Sequence, residues 1–188
     1  MRQSEYNKKT TEHIEVPVEE RVKKIKLLIL DVDGVMTDGR IIFDSNGVES
    51  KFFNVKDGHG IKMLQRAGIE VAIISGRESV VVTNRAAELG IKIVYQKSLN
   101  KLEPYQKILL ATGLTDEEVA FMGDDVIDIP VLRRVGFAAA PADAIAEVLP
   151  HVHYVTQARG GWGAVREVCD HIIKGRGLWE EITSRYYV

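Results

Sequence analysis

Two aspartates separated by one residue follow a strongly apolar stretch of the chain. Residues 25–30 read IKLLIL, and Asp31-Val32-Asp33-Gly34 comes directly after them. Asp-x-Asp-Gly is also an ordinary turn sequence, because aspartate and glycine are common turn residues. Two carboxylates this close at the end of a buried strand nevertheless resist joint ionisation unless a cation neutralises them. A divalent metal meets that need, and Mg2+ prefers carboxylate oxygens and completes its shell with water and substrate phosphate.

A second acidic cluster follows another apolar run. Residues 118–122 read EVAFM, and Gly123-Asp124-Asp125 and then Asp128 come next. Acidic residues are also common at helix starts, where they cap backbone amides and favour the helix dipole. If Asp125 or Asp128 caps a helix, Asp124 still points toward the site beside Asp31. We therefore expect Asp124 to be a metal ligand.

Ser75 and Lys101 complete a set suited to phosphoryl transfer. Ser75 ends the run EVAIIS (70–75), where its hydroxyl and the following amides suit a phosphate oxygen. The charge of Lys101 suits a site where phosphate and a nucleophilic carboxylate meet. Each residue is weak by itself, since most lysines at helix starts are simply solvated. Together with the aspartates they predict carboxylate and metal chemistry at a phosphate.

The elements that carry these residues alternate in type along the chain. Short aliphatic runs predict strands at 25–30, 70–75, 91–96, 118–123 and 152–156, with helical stretches between them that end at glycine. This order predicts an α/β fold with a doubly wound parallel sheet and helices on both faces. Chemistry in such sheets gathers beyond the carboxyl ends of the strands. Asp31, Ser75 and Asp124 all lie at those ends.

Other segments stand apart from the alternation of strands and helices. Residues 40–55 contain two strand-like pieces around Asn46-Gly47, which predicts a projecting β-hairpin over the site. Residues 16–24 predict a short lead-in helix. The polar residues 1–16 are expected to be disordered, 17–174 to form one domain, and 175–188 to be a C-terminal tail.

Composition narrows the class of protein. The 188 residues are 45% hydrophobic, enough for one well-packed core. Basic and acidic residues number 25 and 27, for a net charge of -2. This near balance argues against nucleic-acid and membrane partners. No apolar run approaches the roughly 18 residues of a spanning helix, and the start lacks a signal-peptide core. The single cysteine, Cys169, excludes an internal disulfide and is expected in the core. We expect a cytoplasmic protein.

Four motifs, in order, resemble those of the haloacid dehalogenase-like phosphatases. They are Asp31 to Val35, Ser75, Lys101, and Gly123-Asp124-Asp125 with Asp128. The resemblance implies a Rossmann-type fold in which Asp31 attacks phosphorus to form an aspartyl-phosphate. It implies that Asp33 donates a proton to the leaving oxygen and then activates water. It also implies that Asp31, Asp33 and Asp124 hold Mg2+.

Further segments are similar to one capless branch of that superfamily, the 3-deoxy-D-manno-octulosonate 8-phosphate phosphatases. They read DVDGVMTDG, FFNVKDGHGIKML, ISGRES and GGWGAVREVCDHII. The resemblance implies that the hairpin replaces a cap domain and that a sugar acid phosphate is the substrate. Its substrate-binding positions correspond to Asn54, Val55, Lys56, Asp57, Gly58, Lys62, Ser75, Gly76, Arg77, Arg85, Lys101 and Asp128. Lys62 stands where many relatives have arginine, which keeps the charge but loses bidentate recognition of a carboxylate; Trp162 lies at a position that varies.

Two alternatives remain at the level of sequence. The same scaffold serves phosphatases for nine-carbon sialic-type acid 9-phosphates, and some relatives are non-catalytic oligomerisation or regulatory domains. Such domains can lose the nucleophile or the acid. Because this chain keeps Asp31, Asp33, Lys101 and Asp124, catalysis is favoured.

Assembly is predicted from the hairpin and the tail. The hairpin carries Ile41, Phe43, Phe52 and Phe53, more apolar surface than a solvated projection would expose. The resemblance implies a homotetramer in which four hairpins meet around an axis and each tail reaches a neighbouring site. Gly175 and Gly177 are expected to turn the tail out of the last helix. Trp179, Tyr186 and Tyr187 are expected to pack on the partner.

Overall fold

The computed structural model describes residues 16–188, so the segment predicted to be disordered lies outside the described residues except for Val16. In chain order the elements are α1 (Val18–Val22), β1 (Leu27–Leu30), β2 (Ile42–Phe43), β3 (Glu49–Ser50), α2 (Val55–Arg66), β4 (Glu70–Ile74), α3 (Val80–Leu89), β5 (Ile93–Tyr95), α4 (Leu102–Thr112), β6 (Val119–Met122), α5 (Ile129–Leu132), β7 (Phe137–Ala140), β8 (Tyr154–Val155), α6 (Ala164–Gly175) and α7 (Trp179–Thr183). The predicted lead-in helix is α1.

Six of the strands form one parallel sheet in the order β5-β4-β1-β6-β7-β8. The side chains of β1 alternate between two cores, with Leu28 and Leu30 on one face and Leu27 and Ile29 on the other. Helices α1, α2, α3 and α6 cover the first face, while α4 and α5 cover the second. The predicted doubly wound parallel sheet is therefore confirmed.

One central strand was missed in the sequence. β7 reads FAAA and pairs with β6 on one side and β8 on the other. Alanine is not a strand-favouring residue, so the run has no local signal and depends on its neighbours. The backbone is also closely packed where β7 begins, since a Cβ on the preceding Gly136 would lie 2.3 Å from the carbonyl oxygen of Glu117.

The hairpin is present but shorter than expected. Its strands β2 and β3 have two residues each, and Gly47 adopts a left-handed conformation (φ 78°) in the turn. The carboxylate of Asp44 stabilises this turn by accepting hydrogen bonds from the amides of Asn46 and Val48. Phe53, expected on the exposed hairpin surface, instead packs against the core; that expectation was wrong.

The C-terminal tail folds back onto its own chain. Gly177 is left-handed (φ 69°) and turns the chain after α6, as predicted, whereas Gly175 remains helical and packs against Val22. Trp179 packs against the core, and the Tyr186 hydroxyl lies 2.7 Å from Arg66 Nη2. Trp179 and Tyr186 were expected to pack on a partner, but both have contacts within the chain.

Among residues 16–188, none of the helices has the length and apolar content needed to cross a bilayer. Cys169 is fully buried on the side of α6 that faces the core, as predicted. 

Candidate active site

The predicted site residues emerge at one edge of the sheet. Leu30 of β1 pairs with Ile73 of β4 and with Met122 of β6. The residues that follow these three positions therefore leave the sheet side by side at its carboxyl edge. Asp31, Ser75 and Asp124 are thereby brought to a common edge.

Lys101 lies buried between two carboxylates. Its Nζ is 2.8 Å from Asp31 Oδ1 and 2.5 Å from Asp128 Oδ1, and its side chain has no exposed surface. Burial lowers the pKa of the ammonium, but the two carboxylates outweigh that effect and the pKa of Lys101 is raised. The side chain therefore stays charged and fixes Asp31 in place.

Asp128 holds the loop after β6. Its Oδ2 accepts hydrogen bonds from the amides of Asp124 (2.9 Å) and Asp125 (3.2 Å), and Asp125 in turn caps the short 3-10 helix Val126–Asp128. Helix capping by these acids is thus confirmed, and it leaves Asp124 available. Asp128 is fully buried beneath Lys101, which favours a positioning role over its predicted contact with substrate.

Asp31, Asp124 and Asp128 form a cluster that suits a divalent cation. One carboxylate oxygen from each lies within 4.8 Å of the others. Asp124 Oδ1 is buried and has no hydrogen-bond partner in the part of the chain that the structure describes. Burial raises the pKa of Asp31 to about 6, although Lys101 opposes the shift. Burial, with the charge of Asp31, raises the pKa of Asp124 to about 8. Since the oxygens of Asp128 are engaged, Asp31 and Asp124 are the carboxylates left to hold Mg2+.

Gly34 allows the two acidic loops to meet. It has a left-handed conformation (φ 90°), and a Cβ at this position would lie 2.0 Å from Asp124 Oδ2. Any side chain here would displace Asp124. The glycine of the Asp-x-Asp-Gly motif is therefore required for closure of the cluster as well as for the turn.

The second aspartate has separate partners. The carboxylate of Asp33 accepts a hydrogen bond from Lys51, whose side chain is 1% exposed, and Oδ2 lies 3.8 Å from Arg77 Nη1. Asp33 lies outside the carboxylate cluster. To act as a metal ligand, as predicted, it would have to bind through an oxygen other than Oδ1, because Lys51 occupies Oδ1.

Lys51 and Glu49 were not found from the sequence. Glu49 accepts a hydrogen bond from Arg77 Nη2 at 3.0 Å and another from the Ser79 hydroxyl. Their spacing is the sequence signal that could have revealed them. Residues two apart on a strand share a face, and both charged side chains point inward toward the site. Arg77 and Ser75 are linked as well, because the Arg77 amide donates to Ser75 Oγ at 3.3 Å.

The residues predicted to line a sugar pocket begin helix α2. Asn54 caps the helix by accepting a hydrogen bond from the Lys56 amide at 2.8 Å, and Val55 and Lys56 are exposed. Asp57 points inward, where its Oδ1 accepts from the amide of Arg166 at 2.8 Å. Its carboxylate joins α2 to α6, and burial raises its pKa to about 6. Substrate contact by the Asp57 side chain stays a prediction.

Arg85 reaches this helix start, whereas Lys62 does not. A Cβ on Gly58 would lie 2.4 Å from Arg85 Nη2, so the glycine makes room for the guanidinium, which also lies over the ring of Phe53. Lys62 Nζ instead lies beside Gly90, at the far end of α3 from the site. Gly76 faces Ile127, next to the loop that carries Asp124.

Comparison with known proteins agrees with this geometry. A family model described as haloacid dehalogenase-like hydrolase matches residues 55–136. The chain is 47% identical over 161 residues to the 3-deoxy-D-manno-octulosonate 8-phosphate phosphatase KdsC of Escherichia coli K12, covering 86% of each. The crystal structure of that phosphatase from Yersinia pestis has a TM-score of 0.85 at 48% identity, over 87% of this chain and 88% of that one.

A third relative was solved with ligands. The 3-deoxy-D-manno-octulosonate 8-phosphate phosphatase from Moraxella catarrhalis, in complex with magnesium, phosphate and KDO, has a TM-score of 0.88 at 37% identity. The match covers 90% of this chain and 97% of the Moraxella catarrhalis chain. The parallel sheet and its acidic edge are those of a haloacid dehalogenase-like hydrolase. Within that class, the chain belongs to the family of KdsC phosphatases.

Proposed function

We propose that this protein hydrolyses 3-deoxy-D-manno-octulosonate 8-phosphate to KDO and phosphate, in the supply of a lipopolysaccharide precursor. The observation that carries the proposal is the buried Asp31, held by Lys101 at the carboxyl edge of the sheet beside Asp124, whose Oδ1 has no hydrogen-bond partner within residues 16–188. The 47% identity to a KdsC phosphatase, over 86% of both chains, supports the assigned substrate.

Two steps at Asp31 account for the reaction. A carboxylate oxygen of Asp31 attacks phosphorus, and the bond between phosphorus and the sugar oxygen breaks. Asp33 gives its proton to that departing oxygen. Water then attacks the aspartyl-phosphate after passing a proton to Asp33, which releases phosphate and restores Asp31. Lys101 keeps Asp31 oriented and offsets the negative charge that gathers around phosphorus.

Asp31 and Asp124 would hold Mg2+. When bound, the ion supplies positive charge that neutralises the carboxylates and polarises the phosphate. Burial raises the pKa of both carboxyl groups, with a contribution from the charge of Asp31 at Asp124, and a bound cation would favour their ionised forms. Ser75, which is buried and directly follows β4, would bind a phosphate oxygen.

The sugar acid carries a carboxylate that needs a cation of its own. Arg77 has a partly exposed guanidinium beside Asp33, and Arg85 reaches the exposed first turn of α2. A guanidinium can bind a carboxylate through two parallel hydrogen bonds. We assign these arginines, with the start of α2, to recognition of the substrate. Lys62 would have to serve a neighbouring subunit if it binds substrate, because it lies away from the site of its own chain.

We further propose that the protein is a cytoplasmic homotetramer built through its hairpins. Ile41, Phe43, Val48 and Phe52 are each about half exposed or more. Large apolar side chains exposed to this degree on one projecting hairpin are typical of an interface. The buried, unpaired Cys169 fits a reducing compartment.

The substrate assignment is tested by measuring phosphate release from a panel of phosphate esters. The panel contains the eight-carbon 3-deoxy-D-manno-octulosonate 8-phosphate, a nine-carbon sialic-type acid 9-phosphate, and glucose 6-phosphate, which lacks a carboxylate. We expect kcat/KM to be highest for the eight-carbon acid, by about tenfold or more, a margin within reach of a few pocket contacts. A preference for the nine-carbon acid would replace the assigned substrate, and equal rates on all three would contradict recognition of the carboxylate.

A further inference from the structure

A second buried lysine serves the second aspartate as Lys101 serves the first. The Lys51 side chain is 1% exposed, its ammonium is bound to Asp33 Oδ1, and it lies 3.5 Å from Glu49 Oε1. Burying an ammonium is unfavourable unless carboxylates compensate its charge. Lys51 therefore has its position fixed by these two carboxylates, one of which belongs to the reacting groups.

Glu49 in turn fixes Lys51 over the site. Its carboxylate is bound by Arg77 and by the Ser79 hydroxyl, both in the loop that follows β4. The apolar side chains of the same hairpin, Phe43 and Val48, are exposed and make no core. Charged contacts made by Glu49 thus hold this part of the hairpin against the active-site loop.

We propose that Lys51 is a positioning residue for Asp33, and that Glu49 holds Lys51 in place. The inference rests on the proposed phosphatase function. Because the ammonium occupies Oδ1, the proton that Asp33 exchanges with the sugar oxygen and with water is carried on Oδ2. Breaking the phosphorus–oxygen bond then gives the sugar hydroxyl and a carboxylate whose negative charge faces Lys51.

Removal of Lys51 would free the Asp33 carboxyl group to rotate. A smaller fraction of molecules would then present the proton to the departing oxygen. In the first step, this loss matters for an alkoxide, which must be protonated as it leaves, and hardly matters for p-nitrophenolate, which leaves as an anion. The second step, in which Asp33 takes a proton from water, is the same for both substrates. A defect in general folding would slow both reactions alike.

The test compares Lys51→Met, Lys51→Arg and the surface variant Lys107→Met on two substrates, 3-deoxy-D-manno-octulosonate 8-phosphate and p-nitrophenyl phosphate. For Lys51→Met we expect kcat/KM, which reports the first step alone, to fall by about tenfold on the sugar phosphate, a smaller loss than the 10²–10⁴ that a general acid supplies. On p-nitrophenyl phosphate it should change by less than about threefold. Lys51→Arg should recover part of the loss, since it keeps the charge. Lys107 pairs with Glu103 on the surface, so its variant should match the wild type on both substrates.

A double variant shows whether Lys51 acts through Asp33. Asp33→Asn with Lys51→Met should be no slower than Asp33→Asn alone, because residues that act as a unit are not additive. Equal losses on both substrates, or multiplied losses in the double variant, would overturn the inference. If circular dichroism shows that Lys51→Met does not fold, Glu49→Gln replaces it, with a smaller loss again confined to the sugar phosphate.

The proposed function fails in a different way. Wild-type protein that cleaves p-nitrophenyl phosphate but not the sugar acid phosphate would refute the substrate assignment alone. The role of Lys51 would then be decided with another alkyl phosphate that the wild type accepts. Wild-type protein without any phosphatase activity would overturn both proposals.

Discussion

The two aspartates of the Asp-x-Asp motif differ in their surroundings, and this difference separates their roles. Asp31 is buried against Lys101, which favours a fixed nucleophile. Asp33 is more exposed and binds Lys51 through Oδ1, which leaves Oδ2, 3.8 Å from Arg77 Nη1, for proton transfer. The two aspartates thus differ in role because each one contacts a different lysine.

Asp31→Asn should abolish turnover while the fold remains intact, because the amide keeps the shape and loses the nucleophile. We expect a loss beyond the roughly 10²–10⁴ of a general acid or base, which is the range expected for Asp33→Asn. Single-turnover phosphate release measures both variants, with circular dichroism as the folding control. A nearly normal rate for Asp31→Asn would refute the covalent step.

Asp57→Asn should stabilise the protein at neutral pH more than in acid. Burial raises the pKa of Asp57 from 3.8 to about 6, so the unfolded chain loses this proton first as pH rises. Stability is therefore lost between about pH 4 and 7, on the order of 2–3 kcal/mol, and the amide escapes that loss. The melting temperature of the variant minus that of the wild type should grow by roughly 5 °C from pH 4 to 7.5. A difference independent of pH would show that Asp57 is ionised at little cost.

At the scale of elements, the strand ends bring together residues that the sequence keeps far apart. Asp31 and Asp124 approach because Gly34 leaves space between the loops after β1 and β6. The order of strands and the acidic motifs could be predicted, since each has a local signal. β7 could not, because FAAA becomes a strand only between its neighbours.

The hairpin and the helix after it show a second limit of sequence reasoning. Asn46-Gly47 locates the turn, but nothing in the sequence sets how far the pairing extends. The inward direction of Lys51 depends on Asp33 and Glu49, which are recognisable as partners only once the hairpin is folded. Long-range ion pairs therefore formed the part of the site that was missed.

Mg2+ should stabilise the protein through the cluster at the strand ends. Because binding favours the folded state, excess ion should raise the melting temperature by several degrees in the wild type. Asp124→Asn removes a carboxylate of the cluster and should abolish the response. Glu103→Gln changes only a surface ion pair and should respond like the wild type. A full response of Asp124→Asn would place the ion elsewhere.

At the scale of the whole molecule, the exposed hairpin predicts assembly. Light scattering should give about four times the 21.0 kDa chain for the wild type. Phe43→Ser with Phe52→Ser should dissociate the tetramer, because it removes apolar surface that a partner would cover. Leu110→Ser, at an exposed apolar position on α4, is the matched control and should remain assembled. A fully active wild-type monomer would refute the proposed tetramer.

We assign to Asp31, with the aid of Mg2+, phosphoryl transfer from a sugar acid phosphate. This assignment is tested by phosphate release from 3-deoxy-D-manno-octulosonate 8-phosphate, measured with Mg2+ and again after its removal by a chelator. We expect rapid release with the ion, near-background release without it, and recovery when Mg2+ is restored. Release that is unchanged by the chelator, or absent in its presence and in its absence alike, would contradict the account.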